Sequence, residues 1–308
     1  MIIICKLFII ILIALYNIIT INEKKKLNSI NLNKPIKEKD NKKCFLSPEN
    51  SNLKIIHIII TRFMIEFYKR IVFAKTIYTK EYIENGIRVM KKYLIPSLEH
   101  QICRDFIWML TIGEKANITF LKSLLNFTRP FNFVILYKKD MRKFIRNITK
   151  NVDVLITSRI DYDDRIYYDA VNDVRKNVNI SKPIFLYGYD RGFVYYEDLD
   201  IYTKFFNKFK NEGAMSTFES LIIVMNKVND SYIIYDMGNH HSIRKNLLKD
   251  YKKFGLQKLE YEPSIFEIDV PKFVWVRQRF SGSLENMTKP KEKAVHFDLD
   301  KFYGIKKE

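Results

Sequence analysis

The stretch Asn151-Val-Asp-Val-Leu-Ile-Thr-Ser-Arg-Ile-Asp-Tyr-Asp-Asp164 decides how this chain is interpreted. Its first half is β-branched and aliphatic, which predicts a buried strand over 152–158. The run ends in three carboxylates within four positions, Asp161, Asp163 and Asp164. Like charges at this spacing repel one another unless a cation or a bound proton offsets them. Residues 161 and 163 at a strand end could both reach one hard divalent ion, manganese or magnesium, that also binds phosphate oxygens.

The same aspartates have a structural interpretation. They could cap a helix that the sequence predicts over 165–175. Their position directly after a hydrophobic strand favours a ligand site, because ligands in open α/β sheets bind outside the carboxyl ends of the strands.

The composition indicates a folded chain without a nucleic-acid partner. The 308 residues are 47% hydrophobic and 14% aromatic, which excludes a disordered protein. The formal charge of +18 would suit nucleic acid or an acidic membrane. The lysines are scattered, however, whereas a nucleic-acid groove gathers basic residues into one tract with interleaved aromatics.

The amino terminus predicts a membrane segment. Residues 1–21 are almost wholly apolar and approach the length that spans a bilayer, and lysines follow at 24–26. The segment is either a signal anchor or a cleaved signal peptide, and cleavage would make the protein secreted. The lack of a small-residue cleavage site favours the anchor. Residues 22–52 are polar and predict a stem, which leaves 53–308 as the folded domain.

Glycosylation sequons favour the lumen of the endoplasmic reticulum or Golgi as the location of the domain, and the cysteines are compatible with it without favouring it. Six glycosylation sequons begin at Asn117, Asn126, Asn147, Asn179, Asn229 and Asn286, a modest excess over chance. Cys44 and Cys103 are the cysteines outside the apolar segment. They could form one disulfide in an oxidising compartment, or both could be buried thiols.

Strands and helices alternate along the first half of the domain. Strands are predicted over 54–60, 105–111, 131–137 and 152–158, and helices over 81–93, 117–127 and 140–148. This alternation is typical of a mostly parallel α/β sheet flanked by helices. The second half predicts strands over 183–189 and 192–196, paired around a turn at Asp190-Arg191, and further strands over 231–236 and 272–277.

Four short motifs occur in an order that resembles the rhamnosyltransferase-like family of GT-A glycosyltransferases. They are Ile60-Thr-Arg-Phe63, Tyr93-Leu-Ile-Pro-Ser-Leu98, Asp105-Phe-Ile-Trp108 and Thr157-Ser-Arg-Ile-Asp-Tyr-Asp-Asp164. The resemblance implies a GT-A-like fold and a metal-dependent transfer of sugar from a nucleotide-diphosphate donor to a glycan or protein-linked acceptor. It implies that Asp161 and Asp163, or Asp163 and Asp164, bind the metal. The chain departs from the family at Thr111-Ile-Gly-Glu114, where the family has an acidic phrase resembling Phe-Asp-x-x-Thr.

Four further residues are candidates for the site, each with a structural alternative. Arg62 at the end of the first strand could bind donor phosphate, or form a surface ion pair. Arg159 could contact the donor or brace the aspartates. Glu219 could be the base that deprotonates the acceptor, or a helix-capping carboxylate. His240 could bind the metal or a phosphate, or lie in a solvated loop.

Two other functions compete with glycosyl transfer. A strand that ends in Asp161-Tyr-Asp163 also suits a haloacid-dehalogenase-type phosphatase, with Asp161 as nucleophile and Asp163 as acid. The chain could instead be a catalytically inactive, glycosylated relative that is anchored to a membrane.

Overall fold

The computed structural model describes residue 44 and residues 51–65, 77–125, 131–189, 191–206, 218–228, 233–237, 246, 265–266, 273–277 and 293–303. All of them belong to one compact unit, residues 42–308. The predicted anchor over 1–21 lies outside the described residues. In the part of the chain that the structure describes, no helix is long and apolar enough to cross a bilayer.

A seven-stranded sheet forms the centre of the domain, with the strand order β10-β6-β9-β4-β1-β2-β3. Its strands are β1 (Ile55–Phe63), β2 (Ile107–Ile112), β3 (Asn132–Tyr137), β4 (Val154–Arg159), β6 (Ile184–Tyr187), β9 (Glu219–Val224) and β10 (Ile265–Phe266). Strands β4, β1, β2 and β3 are mutually parallel, as are β10 and β6. Only β9 runs antiparallel to its neighbours β4 and β6. The prediction of a mostly parallel α/β sheet is therefore confirmed.

The apolar strands are continuous because both faces of the sheet are covered. Alternate residues of β1 enter two clusters, with Ile59 and Phe63 in one and Ile58 and Ile60 in the other. Since successive strand residues point to opposite faces, the two clusters lie on opposite sides of the sheet.

Helices flank the sheet on both sides. They are α1 (Lys80–Lys92), α2 (Leu94–Glu99), α3 (Ile118–Leu124), α4 (Met141–Ile148), α5 (Ala170–Lys176) and α6 (Leu299–Tyr303). Helices α1, α2, α3 and α5 pack into the cluster that contains Phe63, and α4 packs into the opposite cluster. Helix α1 begins after Thr79, whose hydroxyl accepts a hydrogen bond from the backbone N–H of Tyr82.

A second, five-stranded sheet has the order β12-β8-β7-β11-β5. Its strands are β5 (Arg165–Ile166), β7 (Arg191–Tyr196), β8 (Ile201–Phe206), β11 (Phe273–Arg277) and β12 (Ala294–Val295). Strand β5 follows the acidic cluster directly along the chain. Residues 160–164 are therefore one of the connections between the two sheets.

Three predictions of secondary structure are wrong. The helix predicted over 165–175 begins only at Ala170, because Arg165 and Ile166 form β5. Strands β6 and β7 do not pair with each other around Asp190-Arg191, since β6 pairs with β9 and β10 while β7 pairs with β8 and β11. The strand predicted over 231–236 is replaced by a short 3-10 helix, Ile234–Met237, which packs on the central sheet.

The two cysteines outside the apolar segment form a disulfide. Cys44 and Cys103 are bonded across 59 positions of sequence, and Cys103 is fully buried. The structure therefore selects the disulfide over two free thiols. The bond ties the segment that precedes β1 to the loop that precedes β2.

Candidate active site

The acidic turn, Asp161–Asp164, lies at the carboxyl end of β4. Because β4, β1 and β2 are parallel, their carboxyl ends share one edge of the sheet. The backbone N–H of Asp164 donates to the carbonyl of Asp161 at 3.2 Å and closes the turn. The side chain of Asp161 is 38% exposed, whereas Asp163 and Asp164 are 9% and 2% exposed. Asp161 is thus the carboxylate most open to a ligand from solvent.

Aromatic side chains pack beneath the turn, on the face of the sheet that carries Phe63. The ring of Tyr162 packs edge-on against Phe63 with the centroids 5.3 Å apart, and the ring of Tyr82 stacks on the same phenylalanine. The hydroxyls of Tyr162 and Tyr82 are hydrogen-bonded to each other. Burial, and then the neighbouring Asp163 carboxylate, raise the pKa of Tyr162 well above 10, so its hydroxyl stays protonated. The turn therefore packs on uncharged aromatic side chains.

Arg165 holds the far end of the turn. Its guanidinium lies over the ring of Tyr93 at 4.5 Å and over the ring of Tyr195 at 5.5 Å. It also donates to the hydroxyl of Tyr202 at 2.9 Å. A guanidinium held by three side chains fixes the residue that directly follows the aspartates.

Two arginines lie beside the turn on one face of the sheet. Arg159 is 1% exposed and its guanidinium lies 3.9 Å from the carboxylate of Asp161. The Tyr235 ring contacts both arginines, with Arg62 at 4.1 Å and Arg159 at 5.1 Å from its centroid. Burial lowers the pKa of Arg62, and Arg159 lowers it further, while Tyr235 and Asp161 oppose the change. The structure therefore brings together Arg62, Arg159 and Asp161, which the sequence proposed separately.

Glu219 begins β9 and is completely buried. The helix-capping alternative is wrong, because the residue lies in a strand and not in the first turn of a helix. Glu219 is the register partner of Arg159 across the β4–β9 pair, so both side chains belong to the face that carries Arg62. The role of Glu219 as the acceptor base stays a prediction. Because Glu219 is buried, an acceptor hydroxyl would have to enter the edge of the sheet to contact its carboxylate.

The acidic turn suits a hard cation by its chemistry. Carboxylate oxygens are the ligands that magnesium and manganese prefer. Among the residues that the structure describes, no group of three or more His, Cys, Asp and Glu side chains is gathered to hold a metal. A site built on Asp161 and Asp163 would therefore take its other ligands from water and a bound phosphate. His240, the predicted further ligand, lies outside the described residues.

Sequence reasoning missed the tyrosines of the site. Tyr82, Tyr162 and Tyr235 contact the acidic turn or its arginines. The chain has 19 tyrosines, and no local pattern separates these three from the rest. Only the position of Tyr162 between two candidate ligands is a usable signal.

Several solved structures are similar to this chain. A cytidylyltransferase from Leptospira borgpetersenii serovar Hardjo-bovis is 10% identical, with 71% of this chain and 77% of that chain covered and a TM-score of 0.33. A "putative nucleotide-diphospho-sugar transferase" from Desulfovibrio desulfuricans G20 is 9% identical, with 77% and 90% covered and a TM-score of 0.35. A "putative glucose-1-phosphate thymidylyltransferase" from Bacillus anthracis is 13% identical, with 70% and 87% covered and a TM-score of 0.32.

The family comparison covers most of the site. No curated protein sequence matches the chain significantly. A family profile described as "Putative rhamnosyl transferase" matches residues 66–235, more than half of the chain. The matched region includes the acidic turn, Glu219 and Tyr235, and Arg62 lies just before it. The chain therefore belongs to the family of putative rhamnosyl transferases.

Proposed function

We propose that this protein is a glycosyltransferase that moves a sugar from a nucleotide-diphosphate donor to a hydroxyl of a glycan or protein-linked acceptor. One observation supports this function most: an acidic turn and two arginines lie next to each other at one edge of a mostly parallel sheet. Family membership favours this function over the phosphatase alternative. The name of the family does not by itself assign rhamnose as the sugar.

The arginines and the aspartates would bind different parts of the donor. Arg62 and Arg159 are suited to the phosphate oxygens, because a guanidinium offers paired donors to an oxyanion. Asp161 and Asp163 would hold manganese or magnesium, which would offset the negative charge on the departing nucleoside diphosphate. Glu219 would accept the proton of the attacking hydroxyl.

We also propose that the domain lies in the lumen of the secretory pathway. The Cys44–Cys103 disulfide supports it, since disulfides persist in oxidising compartments. The sequon asparagines Asn117 and Asn147 are exposed, as a glycosylated asparagine must be.

Calorimetric titration of the full-length protein with uridine, guanosine and thymidine diphosphates tests the proposed function. We expect at least one nucleotide to bind, to require manganese or magnesium, and to lose that binding in Asp163→Asn. Asp140→Asn is the matched control, because Asp140 precedes α4 without making a side-chain capping bond and lies away from the acidic turn. Metal-independent binding that is equal in both variants would contradict the metal role.

Turnover separates an active enzyme from an inactive relative. Hydrolysis of nucleotide sugars by the same protein, across a panel of donors with manganese, should release the nucleoside diphosphate of the preferred donor. Binding without any hydrolysis or transfer across the panel would support the inactive alternative.

A further inference from the structure

The ring of Tyr235 contacts both arginines of the candidate site. The guanidinium carbon of Arg62 is 4.1 Å from the ring centroid and that of Arg159 is 5.1 Å from it. Besides burial, the charge of Arg159 lowers the pKa of Arg62, so the two cations repel each other, and an aromatic ring offers its negative face to each of them. The ring therefore lets the two guanidiniums occupy neighbouring positions.

Tyr235 is itself fixed to the two strands that bear the arginines. Its hydroxyl donates to the carbonyl of Ile60 in β1 at 3.2 Å. The backbone N–H of Ile234 donates to the hydroxyl of Thr157 in β4 at 2.9 Å. The 3-10 helix is thus attached to β1 and β4 within a few residues of Arg62 and Arg159, so the ring cannot shift independently of them.

We propose that Tyr235 is a positioning residue, which holds Arg62 and Arg159 in the orientation in which they bind the diphosphate of the donor. This inference rests on the proposed function. A guanidinium binds an oxyanion well only when its plane is oriented, and a side chain that is oriented in advance loses less freedom on binding. Tyr235 supplies that orientation to two arginines from two strands.

Inorganic pyrophosphate is the probe, because it contains the shared chemistry of all nucleotide-diphosphate donors. Its affinity is measured by calorimetry on the full-length protein for Tyr235→Phe, Tyr235→Leu and Tyr235→Met. Tyr235→Phe keeps the ring and loses the bond of the hydroxyl to Ile60, so it should bind somewhat more weakly than the unchanged protein but clearly more tightly than the variants without the ring. Tyr235→Leu and Tyr235→Met remove the ring and should bind at least tenfold more weakly, because guanidiniums that are not oriented in advance lose more freedom on binding.

Tyr137→Leu is the matched control. Like Tyr235, Tyr137 is half-buried and its hydroxyl donates to a backbone carbonyl, that of Ala116, at 3.3 Å; it lies at the end of β3, away from the two arginines in the order of the strands. The Tyr137→Leu variant should bind pyrophosphate with the affinity of the unchanged protein. If Tyr235→Leu does not fold, the comparison of Tyr235→Met with Tyr235→Phe provides the same test.

The arginine variants separate failure of the inference from failure of the proposed function. Normal pyrophosphate binding by Tyr235→Met, together with weakened binding by Arg62→Ala, would overturn the positioning role and leave the donor site intact. Equal loss in Tyr235→Phe and Tyr235→Met would also overturn it, because the hydroxyl and not the ring would then matter. Normal binding by Arg62→Ala and by Arg159→Ala would overturn the donor site itself.

Discussion

His57 shows how this sheet buries a titratable side chain. Its Nε2 lies 2.7 Å from the hydroxyl oxygen of Ser158, which lies 2.5 Å from that of Ser220. The three side chains form a buried polar line across β1, β4 and β9, on the face opposite Arg159 and Glu219. Burial, and then the charge of Arg175, lower the pKa of His57 well below 6.5. The imidazole is therefore neutral in the folded protein.

A neutral buried histidine makes stability depend on pH. Below about pH 6.5 the unfolded chain protonates His57 while the folded protein does not, so the free energy of unfolding falls with falling pH until the folded pKa is reached. Above pH 6.5 this contribution is constant. We expect His57→Gln, which cannot titrate, to lose less stability between pH 7 and 5, by at most about 1.4 kcal/mol per pH unit.

Urea unfolding at several pH values measures this effect. His100→Gln is the control, since His100 lies exposed at the end of α2. Identical pH profiles for the unchanged protein and His57→Gln would show that the buried histidine does not contribute.

Glu219→Gln distinguishes a base from a structural partner. If Glu219 accepts the proton of the acceptor, the change should reduce transfer by about a hundred- to ten-thousand-fold while metal and nucleotide binding persist. If Glu219 mainly orients Arg159, its register partner, nucleotide affinity should fall instead. Steady-state kinetics and calorimetry on one preparation separate the two results. Glu114→Gln, at an exposed carboxylate after β2, should change neither.

At the scale of elements, the packing of α1 on β1 reaches the acidic turn. A Cβ atom added to Gly86 of α1 would clash with the ring of Phe63 at the end of β1. That ring can retreat only by displacing Tyr82 or Tyr162, which pack against it. Tyr162 belongs to the turn, so the spacing between helix and strand determines where the aspartates lie.

We expect Gly86→Ala to be destabilising although alanine favours helices. The overpacking should cost about 1–3 kcal/mol and outweigh the gain of up to about 1 kcal/mol from helix propensity. Metal-dependent nucleotide binding should weaken as well, because the displaced ring moves Tyr162. Chemical denaturation and calorimetry measure both effects, with the exposed Lys91→Ala of the same helix as control.

A double-mutant cycle with Phe63→Leu identifies the cause. If the ring is the obstacle, Gly86→Ala should cost clearly less in the Phe63→Leu background. An unchanged cost would place the origin of the effect elsewhere in the helix.

The elements that the sequence predicts well are those whose own residues determine them. Strands β1 to β4 are apolar on both faces, and the prediction places each of them within a few residues of its observed bounds. The acidic turn was found because three carboxylates follow such a strand. Hydrophobic periodicity is a local property, and here it was sufficient.

The elements predicted wrongly depend on distant partners. Strands β6 and β7 are both apolar and adjacent in sequence, but they join different sheets, which no local pattern shows. Residues 233–235 pack on β4 and β9, and an apolar run of this kind has the same local pattern as a strand. Tyr235 was missed for the same reason, since its importance comes from Arg62 and Arg159 on other elements.

At the scale of the whole molecule, the disulfide closes a long loop of chain. Cross-linking positions 59 apart removes freedom from the unfolded chain, which corresponds to about 4 kcal/mol in the chain-entropy treatment. We expect the double variant Cys44→Ser, Cys103→Ser to melt at a lower temperature than the unchanged protein. Dithiothreitol should lower the melting temperature of the unchanged protein and leave that of the double variant the same. Equal melting of the two proteins without reductant would contradict the contribution of the bond.

Glycosylation tests the lumenal location. Protein made in a eukaryotic secretory pathway should gain mobility on a gel after endoglycosidase digestion. Asn117→Gln removes an exposed sequon asparagine. The change also removes a helix cap, because the side chain of Asn117 accepts a hydrogen bond from the backbone N–H of Phe120. Thr119→Ala abolishes the same sequon without touching that bond, so it is the cleaner variant. An unchanged mobility for the parent protein, together with protease sensitivity from the cytosolic side, would contradict the lumenal location.

The contacts of α6 have a consequence for synthesis on the ribosome. The backbone N–H of Tyr168, four residues after the acidic turn, donates to the carbonyl of Phe302, and the ring of Phe302 packs on Tyr167. Helix α6 is translated more than 130 residues after the turn. On the ribosome, Tyr167 and Tyr168 therefore lack these contacts until residue 303 has left the exit tunnel. Truncation after β12 should yield a protein that retains the central sheet but whose turn is poorly ordered.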